Sequence, residues 1–465
     1  MDITFWGATR QVTGSMHLLT LNSGYKILID CGLRYEQGDA FEINDEFPFE
    51  PSSINLLVLT HAHIDHSGNI PTLIKRGYNG QVICTEPTAA LVENLLKDSV
   101  NVQLSESKSK RRGGNFNKNR PIPLYGQVHV STALDRLVTL SFKKTFKIND
   151  QASVTFYPAG HILGAASVLV EVIENGVTKR IGFTGDLGKL KSKIVVDAEP
   201  MPDLDYLICE STYGNRLHSA LSTPEDELFK YIKKNCIDAP GRLVIPAFSV
   251  GRTQAILFTL NQLYVKGKLK GIKVFTDSPL GILSTKVHEK YDDYLNEESK
   301  IFIKEHGGLL FDFPNLRIIQ TESDHKELAY HSGPSIIVSS AGMIEGGRIQ
   351  QHVRNNIQNP LCTILIAGYC AEGTLGHRLL QGQPTIKIKN KDSPVYARVA
   401  STDVFSAHPD RDGLYKYINE INNKNLKKIF LVHGDEKAME SFVGFLSQKE
   451  FQNVVIPYRG DKFKL

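Results

Sequence analysis

Hydrophobic and polar positions along the chain form short apolar runs, separated by polar turns and amphipathic stretches. Near the start, three runs have the composition of β-strands: residues 3–6, 15–22 and 25–30. Residues 54–59 are apolar except for Asn55, which is typical of a strand buried in a parallel or mixed sheet. The first part of the chain is therefore predicted to contribute to a buried sheet.

The same pattern predicts alternating strands and helices over the rest of the chain. Further strands are predicted at residues 81–84, 153–157, 177–183 and 206–209, and helices at residues 87–100 and 127–139. Between residues 211 and 394 a separate series follows, with helices at 224–236 and 252–264 and strands at 243–246, 273–276, 335–339 and 363–367. An α/β series of this length predicts a domain of its own.

Residues 105–120 interrupt this pattern because they lack hydrophobic periodicity. The segment is rich in Gly, Asn and Ser and carries six basic side chains against one acidic side chain. It is predicted to be a mobile basic loop. Two interpretations stay open, namely a solvated linker and a segment that steers a polyanion towards the protein.

Composition adds few constraints. The 465 residues are 41% hydrophobic and can bury an ample core. The formal net charge of +4 arises from 54 Lys and Arg against 50 Asp and Glu. A net charge this small does not indicate what kind of molecule the protein binds. The six cysteines have no paired short spacing, which indicates a reducing compartment. Neither a leader sequence nor a membrane span is expected, and the protein is predicted to be cytoplasmic.

Four potential metal ligands lie just beyond the strand predicted at residues 54–59: His61, His63, Asp65 and His66. His61 and His63 are two residues apart and converge from an extended turn, whereas the adjacent Asp65 and His66 diverge and suit a second ion. Two ions about 3.5–4 Å apart are the arrangement used by two-metal hydrolases. The alternative is a polar strand-to-helix turn, for which three histidines and one aspartate are poor choices.

Two single residues extend this candidate metal site. His161 lies in a turn of small residues after the strand at 153–157, and Asp186 follows the strand at 177–183. Both are expected at the same edge as the His61 cluster. Asp30, at the end of the strand at 25–30, either accepts a hydrogen bond from a ligating histidine or caps its own turn.

This series of residues resembles the metal ligands of the metallo-β-lactamase superfamily. The resemblance implies an αββα sandwich that binds two Zn²⁺ ions per chain. The implied ligands are His61, His63 and His161 for one ion, Asp65 and His66 for the other, and Asp186 as a bridge. Manganese or iron is also compatible with these ligand types.

Three later segments are similar to the signatures of the β-CASP nucleases. They are Glu210 after a strand, the Phe-Ser-Ala-His segment at 405–408, and the Val-His-Gly segment at 432–434. The likeness extends over essentially the whole chain and is greatest to the endonuclease subunit of eukaryotic pre-mRNA 3′-end processing and its prokaryotic relatives. It implies a metallo-β-lactamase domain at residues 1–210 and 395–465, into which an α/β β-CASP cap domain at residues 211–394 is inserted.

The same likeness implies roles for individual residues. His433 completes the second zinc site, and His408, oriented by Glu210, is the general acid. Asp65 belongs to both the ligand set and the catalytic set. Histidine at position 433, where the DNA-processing branch typically has valine, favours RNA. Ala407, in place of the glycine of the ribonuclease J group, favours an endonuclease.

Three turns of the inserted series are rich in Gly, Ser and Thr and open towards helices. Backbone N–H groups at helix starts bind phosphate, so these turns are predicted to contact the RNA backbone, although simple turn chemistry explains each of them singly. The residues proposed for this contact are Ser249, Arg252, Thr253, Ser340, Arg348 and Thr374. None of the turns continues into Gly-Lys-Ser/Thr, so no nucleotide cofactor is expected.

Together these observations predict a zinc-dependent RNA endonuclease that leaves 3′-hydroxyl and 5′-phosphate ends and needs no membrane. A homodimer is compatible with this prediction. Two enzymatic alternatives share the metal site, namely a 5′-to-3′ exoribonuclease and a small-molecule metallo-hydrolase of the glyoxalase kind. A catalytically silent RNA-binding scaffold is the third alternative, but its hallmark is missing ligands, and none is missing here.

Overall fold

The structure is a computed structural model that describes residues 1–34, 40–112, 123–218, 222–388, 391–421 and 425–465. The strands are β1 (Asp2–Gly7), β2 (Met16–Thr20), β3 (Lys26–Ile29), β4 (Leu56–Val58), β5 (Gln81–Cys84), β6 (Leu137–Thr139), β7 (Thr145–Lys147), β8 (Ala152–Pro158), β9 (Ala166–Glu174), β10 (Val177–Phe183), β11 (Tyr206–Glu210), β12 (Arg242–Pro246), β13 (Lys273–Asp277), β14 (Leu316–Ile318), β15 (Ser335–Ser339), β16 (Cys362–Ile366), β17 (Thr385–Ile388), β18 (Lys391–Pro394), β19 (Arg398–Ser401), β20 (Lys428–Val432), β21 (Val454–Val455) and β22 (Lys462–Lys464).

The α-helices are α1 (Ala40–Asp45), α2 (Ile64–Ser67), α3 (Ile70–Lys75), α4 (Glu86–Arg112), α5 (Gln127–Asp135), α6 (Pro224–Ile232), α7 (Arg252–Val265), α8 (Pro279–Lys290), α9 (Glu297–Glu305), α10 (Glu322–Tyr330), α11 (Ile349–Asn356), α12 (Leu375–Leu380), α13 (Arg411–Glu420) and α14 (Glu436–Gln448). Contacts within the chain divide it into two compact units. The first contains Met1–Ser192, Val196–Leu217 and His408–Leu465, and the second contains Lys193–Val195 and His218–Ala407.

Two seven-stranded mixed sheets form the first unit. Their strand orders are β22-β1-β2-β3-β4-β5-β6 and β21-β20-β11-β10-β9-β8-β7. In each sheet an antiparallel part joins a parallel part, which runs from β3 to β6 in one and from β10 to β21 in the other. Apolar side chains of both sheets, such as Val58 and Phe156, share one buried core, so the sheets pack face to face.

Helices cover the outer faces of this sandwich. Leu414 of α13 and Phe442 of α14 pack with Leu207 and Leu431 in a separate apolar cluster on the second sheet. Helices α3 and α4 both contact α5, and α4 contacts β6 of the first sheet. This layering confirms the predicted αββα fold.

The second unit is built on a six-stranded sheet with the order β14-β13-β15-β12-β16-β19, and every pair of neighbours in it is parallel. Parallel neighbours require crossover connections, which helices supply here. Helix α7 is buried along most of its length, and Val353 of α11 and Leu379 of α12 share one buried apolar cluster with Ile364 of the sheet. The predicted α/β series therefore forms the inserted domain.

The limits of the two units differ from the predicted domain boundaries. Strand β19 pairs with β16, so the chain stays in the second unit until Ala407 and not only until residue 394. At the other junction, residues up to Leu217 remain with the first unit because Ser211 N–H donates to His433 O at 3.2 Å.

Two predicted elements are corrected as well. Helix α4 continues through Arg112, so half of the predicted basic loop at 105–120 is helical; the remainder lies outside the described residues. The helix predicted at 127–139 ends at Asp135, and its last three positions form β6, where Val138 and Thr139 favour a strand.

Among the described residues, no helix combines the length and apolar character that a bilayer crossing requires.

Candidate active site

The predicted metal ligands lie at one end of the sandwich, where strands of both sheets terminate. Parallel strands that are neighbours in a sheet present their carboxyl ends at the same edge, which is where α/β proteins place their sites. The residues follow these strands: His61, His63, Asp65 and His66 follow β4, His161 follows β8, Asp186 follows β10, Glu210 ends β11, and His433 follows β20.

His61, His63, His161 and Asp186 converge on one point. His63 Nδ1 lies 3.2 Å from His61 Nε2 and 3.2 Å from His161 Nε2. Asp186 Oδ2 lies 3.5 Å from His61 Nε2 and 3.6 Å from His161 Nε2. Atoms bound at about 2.0–2.1 Å to a tetrahedral zinc ion lie about 3.3–3.4 Å from one another. The four atoms are therefore spaced as ligands of one cation.

Asp65, His66 and His433 form a second group beside the first. His433 Nε2 lies 3.5 Å from Asp65 Oδ2. Asp186 Oδ1 lies 3.3 Å from His66 Nε2 and 3.3 Å from His433 Nδ1. Asp186 thus faces the first group with one oxygen and the second group with the other, which is the position of a bridging ligand.

Three of these atoms are buried without a hydrogen bond of normal geometry to any residue that the structure describes. They are Asp186 Oδ1, His66 Nε2 and His433 Nε2. A buried polar atom without a partner costs about 1–3 kcal/mol, and coordination of a cation removes this cost. The nitrogen and oxygen donors together with this burial fit divalent transition metals such as zinc.

Burial and neighbouring charges together set the protonation of the predicted ligands. It holds the pKa of His61 and of His161 well below their usual range and lowers the pKa of His63 to about 4. Burial alone would raise the pKa of Asp186, but the surrounding histidines hold it well below its usual range. Neutral imidazoles and an ionised carboxylate are the forms that bind a metal ion, and these four residues already have those forms. His66 differs, because Asp186 and Asp30 outweigh its burial and raise its pKa well above the usual range.

Asp30 forms hydrogen bonds with Thr60 and His66. Its carboxylate accepts hydrogen bonds from the N–H group of Thr60 at 2.8 Å and from the Thr60 hydroxyl at 2.9 Å. Its Oδ2 also lies 2.7 Å from His66 Nδ1, which directs His66 Nε2 towards Asp186. Asp30 therefore stabilises the turn and orients a ligand at the same time.

Backbone hydrogen bonds hold the turn with Asp65 and His66 against the end of β3. Ser15 N–H donates to Asp65 O and Cys31 N–H donates to His66 O, both at 2.8 Å. Gly32 lies within this contact, and a Cβ there would be 1.6 Å from the Asp65 carbonyl oxygen. No larger residue fits unless the ligand-bearing turn moves.

Gly32→Ala is therefore expected to lower the free energy of unfolding by about 1–3 kcal/mol and to weaken metal binding. Denaturant unfolding and calorimetric zinc titration measure the two effects. Gly444→Ala makes the same chemical change inside α14, where nothing lies within 4 Å of the added carbon, and is expected to stabilise slightly. If the two variants have the same free energy of unfolding and the same affinity for zinc, the close packing at Gly32 is contradicted.

His433 is held in an unusual backbone conformation, with φ of +50°. Its N–H group donates to Ala8 O at 2.7 Å, and the hydroxyl of Thr212 lies 3.1 Å from its Nδ1. Left-handed conformations of residues other than glycine persist only where the surroundings hold them. Thr212 was not predicted as a site residue, and its proximity to Glu210 in the chain is the one signal that points to it.

His408 and Glu210 form a hydrogen-bonded pair beside Asp186. His408 Nδ1 lies 3.0 and 3.1 Å from the two carboxylate oxygens of the buried Glu210. The same oxygens accept the N–H groups of Leu187 at 2.7 Å and Thr212 at 3.3 Å. The pair and Asp186 are close enough to surround an ion. Because both oxygens of Glu210 already accept hydrogen bonds, we interpret this contact as orientation of His408.

Glu210 also controls the charge of His408. Burial disfavours the imidazolium ion, but the adjacent carboxylate outweighs it and raises the pKa of His408 to about 9. The His408 side chain keeps 19% of its surface exposed. A partly open imidazolium that is bound by a carboxylate through Nδ1 has the arrangement of a general acid.

The turns predicted to contact RNA lie in the second unit, after the neighbouring parallel strands β15, β12 and β16. They therefore share one edge of the sheet. Ser249 is half-buried there, and the Ser340 hydroxyl lies 2.8 Å from that of Ser278. Thr374 caps α12 by accepting the N–H group of His377 at 3.3 Å. Arg348 keeps 40% of its side chain exposed.

Two of the residues predicted to contact phosphate are buried. Thr253 is buried, and both its hydroxyl and its N–H group donate to Phe248 O, at 2.7 and 3.1 Å. The buried Arg252 guanidinium lies 4.8 Å from the Phe248 ring centre and donates to Phe405 O at 3.4 Å. Both side chains stabilise the start of α7, and their contact with phosphate stays a prediction.

Models of three families match successive stretches of the chain. The metallo-β-lactamase superfamily matches residues 10–215, and the Beta-Casp domain matches residues 253–379. The Zn-dependent metallo-hydrolase RNA specificity domain matches residues 392–457. The Beta-Casp match lies entirely within the second unit. The metallo-β-lactamase match lies in the first unit, except for residues 193–195.

Curated relatives and a solved structure agree with these matches. The chain is 29% identical over 440 residues to Ribonuclease TTHA0252 of Thermus thermophilus, with 94% of each chain covered. It is 30% identical over 448 residues to transcription termination factor FttA of Methanosarcina mazei, with 94% of this chain and 67% of that one covered. It is 27% identical over 448 residues to Endoribonuclease YSH1 of Yarrowia lipolytica, with 95% and 51% covered.

A crystal structure of a protein of unknown function from Enterococcus faecalis has the same fold, with a TM-score of 0.56 at 13% identity over 100% of this chain and 99% of that one. The identity to FttA extends over both units of this chain. The metallo-β-lactamase model matches before the Beta-Casp model along the chain, as expected for a Beta-Casp domain that follows the first part of a metallo-β-lactamase domain. The chain therefore belongs to the β-CASP family of the metallo-β-lactamase superfamily.

Proposed function

We propose that this protein is a metal-dependent endoribonuclease, which hydrolyses RNA phosphodiester bonds and leaves 3′-hydroxyl and 5′-phosphate ends. The observation that carries the proposal is the His408–Glu210 pair beside Asp186. A phosphodiester hydrolase needs such a pair because the departing sugar oxygen must be protonated. The ligand set by itself is shared with hydrolases of small molecules.

Two zinc ions are proposed as the resident metals. The residues that would hold them are His61, His63, His161 and Asp186 for one ion and Asp65, His66, His433 and Asp186 for the other. When bound, the ions supply charge neutralisation at phosphorus and activation of a water molecule. Manganese and iron suit the same donors.

The side chains of the protein supply the proton. Glu210 holds His408 through Nδ1, so the ring delivers its proton from Nε2 as the bond between phosphorus and the 3′ oxygen breaks. The 3′ oxygen thus leaves as a hydroxyl group, and the oxygen from water remains on the 5′ phosphate. The N–H group of Leu187 fixes Glu210 and so keeps the pair in place.

RNA is proposed as the substrate for two reasons. Relatives named as ribonucleases cover 94% or more of this chain, and the match at residues 392–457 is to a domain described by RNA specificity. No step of the proposed mechanism uses the 2′-hydroxyl, so selectivity for RNA must come from substrate binding.

Circular single-stranded RNA is expected to be opened by the zinc-loaded protein, because an endonuclease needs no chain end. Denaturing gels measure the cleavage, and phosphatase and periodate treatment identify the ends. A linear RNA of the same sequence and metal-stripped protein are the controls. Stepwise loss from the 5′ end with the circle left intact would identify an exoribonuclease, and two intact RNAs would contradict ribonuclease activity.

A further inference from the structure

A second cluster of charged side chains lies in the second unit, away from the predicted metal ligands in the sequence. It is centred on Asp277, the last residue of β13, whose side chain is only 1% exposed. Asp277 Oδ1 accepts a hydrogen bond from Arg348 Nη1 at 2.5 Å. Its Oδ2 lies 2.7 Å from His352 Nε2 and 3.9 Å from His325 Nδ1. The local sequence predicted no functional role for Asp277 or for the two histidines.

The ends of β13 and β15 explain the position of this cluster. Asp277 and Ser339 are opposite each other in the sheet, and the Ser339 hydroxyl donates to Asp277 O at 2.8 Å. After Ser340 the chain makes a Gly-rich turn, which closes where the N–H group of Ile349 donates to Ser340 O at 3.1 Å. The closed turn places Arg348 next to Asp277.

The Gly-rich turn exposes backbone donors next to Arg348. Gly346 and Gly347 are exposed and have φ of +72° and +68°. Their N–H groups have no acceptor in the part of the chain that the structure describes. A Cβ on Gly347 would lie 2.4 Å from Ser340 O, so the turn excludes larger residues there. Successive N–H groups in such a conformation form a concave binding surface for anions.

Asp277 is ionised although it is buried. Burial alone would raise the pKa of this carboxyl group, but hydrogen bonds from His352 and Arg348 lower it. Arg252 in the same unit is buried. Arg348 instead has one nitrogen fixed on Asp277 while 40% of its side chain is exposed.

We propose that Asp277 is a positioning residue, which aims Arg348 and the adjacent Gly-rich turn at an internal phosphodiester group of bound RNA. This inference rests on the proposed ribonuclease function. A guanidinium held on one side keeps its other N–H groups in a fixed plane, which suits two phosphate oxygens. His325, with 45% of its side chain exposed beside the same carboxylate, adds a donor at the rim.

The charge of the cluster favours an internal phosphate. Arg348 carries one positive charge, which Asp277 partly balances. A phosphodiester carries a single negative charge, whereas a terminal phosphate carries about −1.5 to −2. The cluster matches the phosphodiester better.

Binding of fluorescent single-stranded RNA, followed by anisotropy over a series of salt concentrations, tests the inference. Every variant is built in the full-length, zinc-loaded chain with His408→Ala, so that the RNA survives the titration. Arg348→Gln is expected to weaken binding about tenfold and to reduce the slope of log Kd against log salt by about 0.7, the value for one lost phosphate contact. Arg354→Gln changes an exposed arginine of α11, the helix that begins directly after Arg348; it is the matched control and is expected to change Kd less than about twofold.

Asp277→Asn separates positioning from net charge. The variant gains one positive charge, which by itself would tighten RNA binding. Loss of the Arg348 orientation is expected to weaken binding about fivefold instead, and the double variant Asp277→Asn/Arg348→Gln is expected to bind as Arg348→Gln does. Tighter binding by Asp277→Asn, or additive losses in the double variant, would overturn the positioning role.

RNAs with a 5′-hydroxyl group, with a 5′-monophosphate and with a circular backbone identify the phosphate that is bound. If Arg348→Gln loses the same affinity for all three RNAs, the bound group is an internal phosphodiester. A loss of affinity that is confined to the 5′-monophosphate RNA contradicts this assignment. If the chain with native Arg348 binds none of these RNAs, the proposed substrate class fails as well. If it binds them and Arg348→Gln binds equally, only the present inference fails.

Discussion

Replacement of His408 by alanine is expected to slow RNA cleavage by about 10²–10⁴-fold and to leave the metal content unchanged. The substitution removes the proton donor but none of the ligand atoms in the two metal-binding groups. Single-turnover cleavage and metal analysis of the same preparation measure both effects. A wild-type rate would exclude His408 from the mechanism, and joint loss of metal would make it a ligand.

An activated ester distinguishes proton donation from other roles of His408. Because p-nitrophenolate leaves without protonation, the defect of His408→Ala on bis(p-nitrophenyl) phosphate is expected to be about tenfold or more smaller than its defect on RNA. Glu210→Gln is expected to show the same pattern more weakly. His129→Ala, whose Nδ1 accepts the N–H group of Gly126 at 3.1 Å, is the control. Equal defects on both substrates would contradict the general-acid role.

Asp186→Asn is expected to abolish metal binding and cleavage together. Asp186 Oδ2 faces His61 and His161, and Oδ1 faces His66 and His433. The amide keeps the volume of the carboxylate but loses its charge and turns one acceptor into a donor. Metal affinity is expected to fall by about 100-fold or more, since even residues that merely support metal ligands contribute up to about that factor.

Thermal unfolding measures the same loss without an activity assay. A ligand at 100 times its Kd stabilises the folded state by about 2.7 kcal/mol, so zinc is expected to raise the Tm of the wild type much more than that of Asp186→Asn. Asp150→Asn removes a carboxylate that is 98% exposed in the same unit and is the matched control. A wild-type response to zinc in Asp186→Asn would contradict the bridging role.

Local sequence predicted the elements of the fold well where apolar runs are bounded by turns. Strands β5, β10 and β15 have the predicted limits, and β4 lies within the predicted run. Prediction was poorer where local preference and long-range pairing compete, as at β6, which a continuous helix had been expected to include. Strands β17 and β18 form a separate two-stranded sheet with only four residues in each strand, and β18 has no apolar alternation, so periodicity does not reveal this pair.

Predictions for the second unit were weaker because its turns gave no information on burial. Arg252 and Arg348 both follow Gly-rich turns, yet one guanidinium is buried and the other is partly exposed. Asp277 ends a predicted strand like many other aspartates, and only the neighbouring β15 brings Arg348 and His352 to it.

The sequence by itself determined which chemical groups stand at the strand ends, because an apolar run followed by His or Asp is a local pattern. It did not determine distances between residues such as Asp65 and His433, which depend on the order of strands within two sheets. Only the tertiary structure decided that Asp186 faces both groups of ligands, that Glu210 binds His408, and that Asp30 lies behind His66. These contacts join distant parts of the chain, and the burial that strengthens them is a property of the packed sheets and not of any one segment.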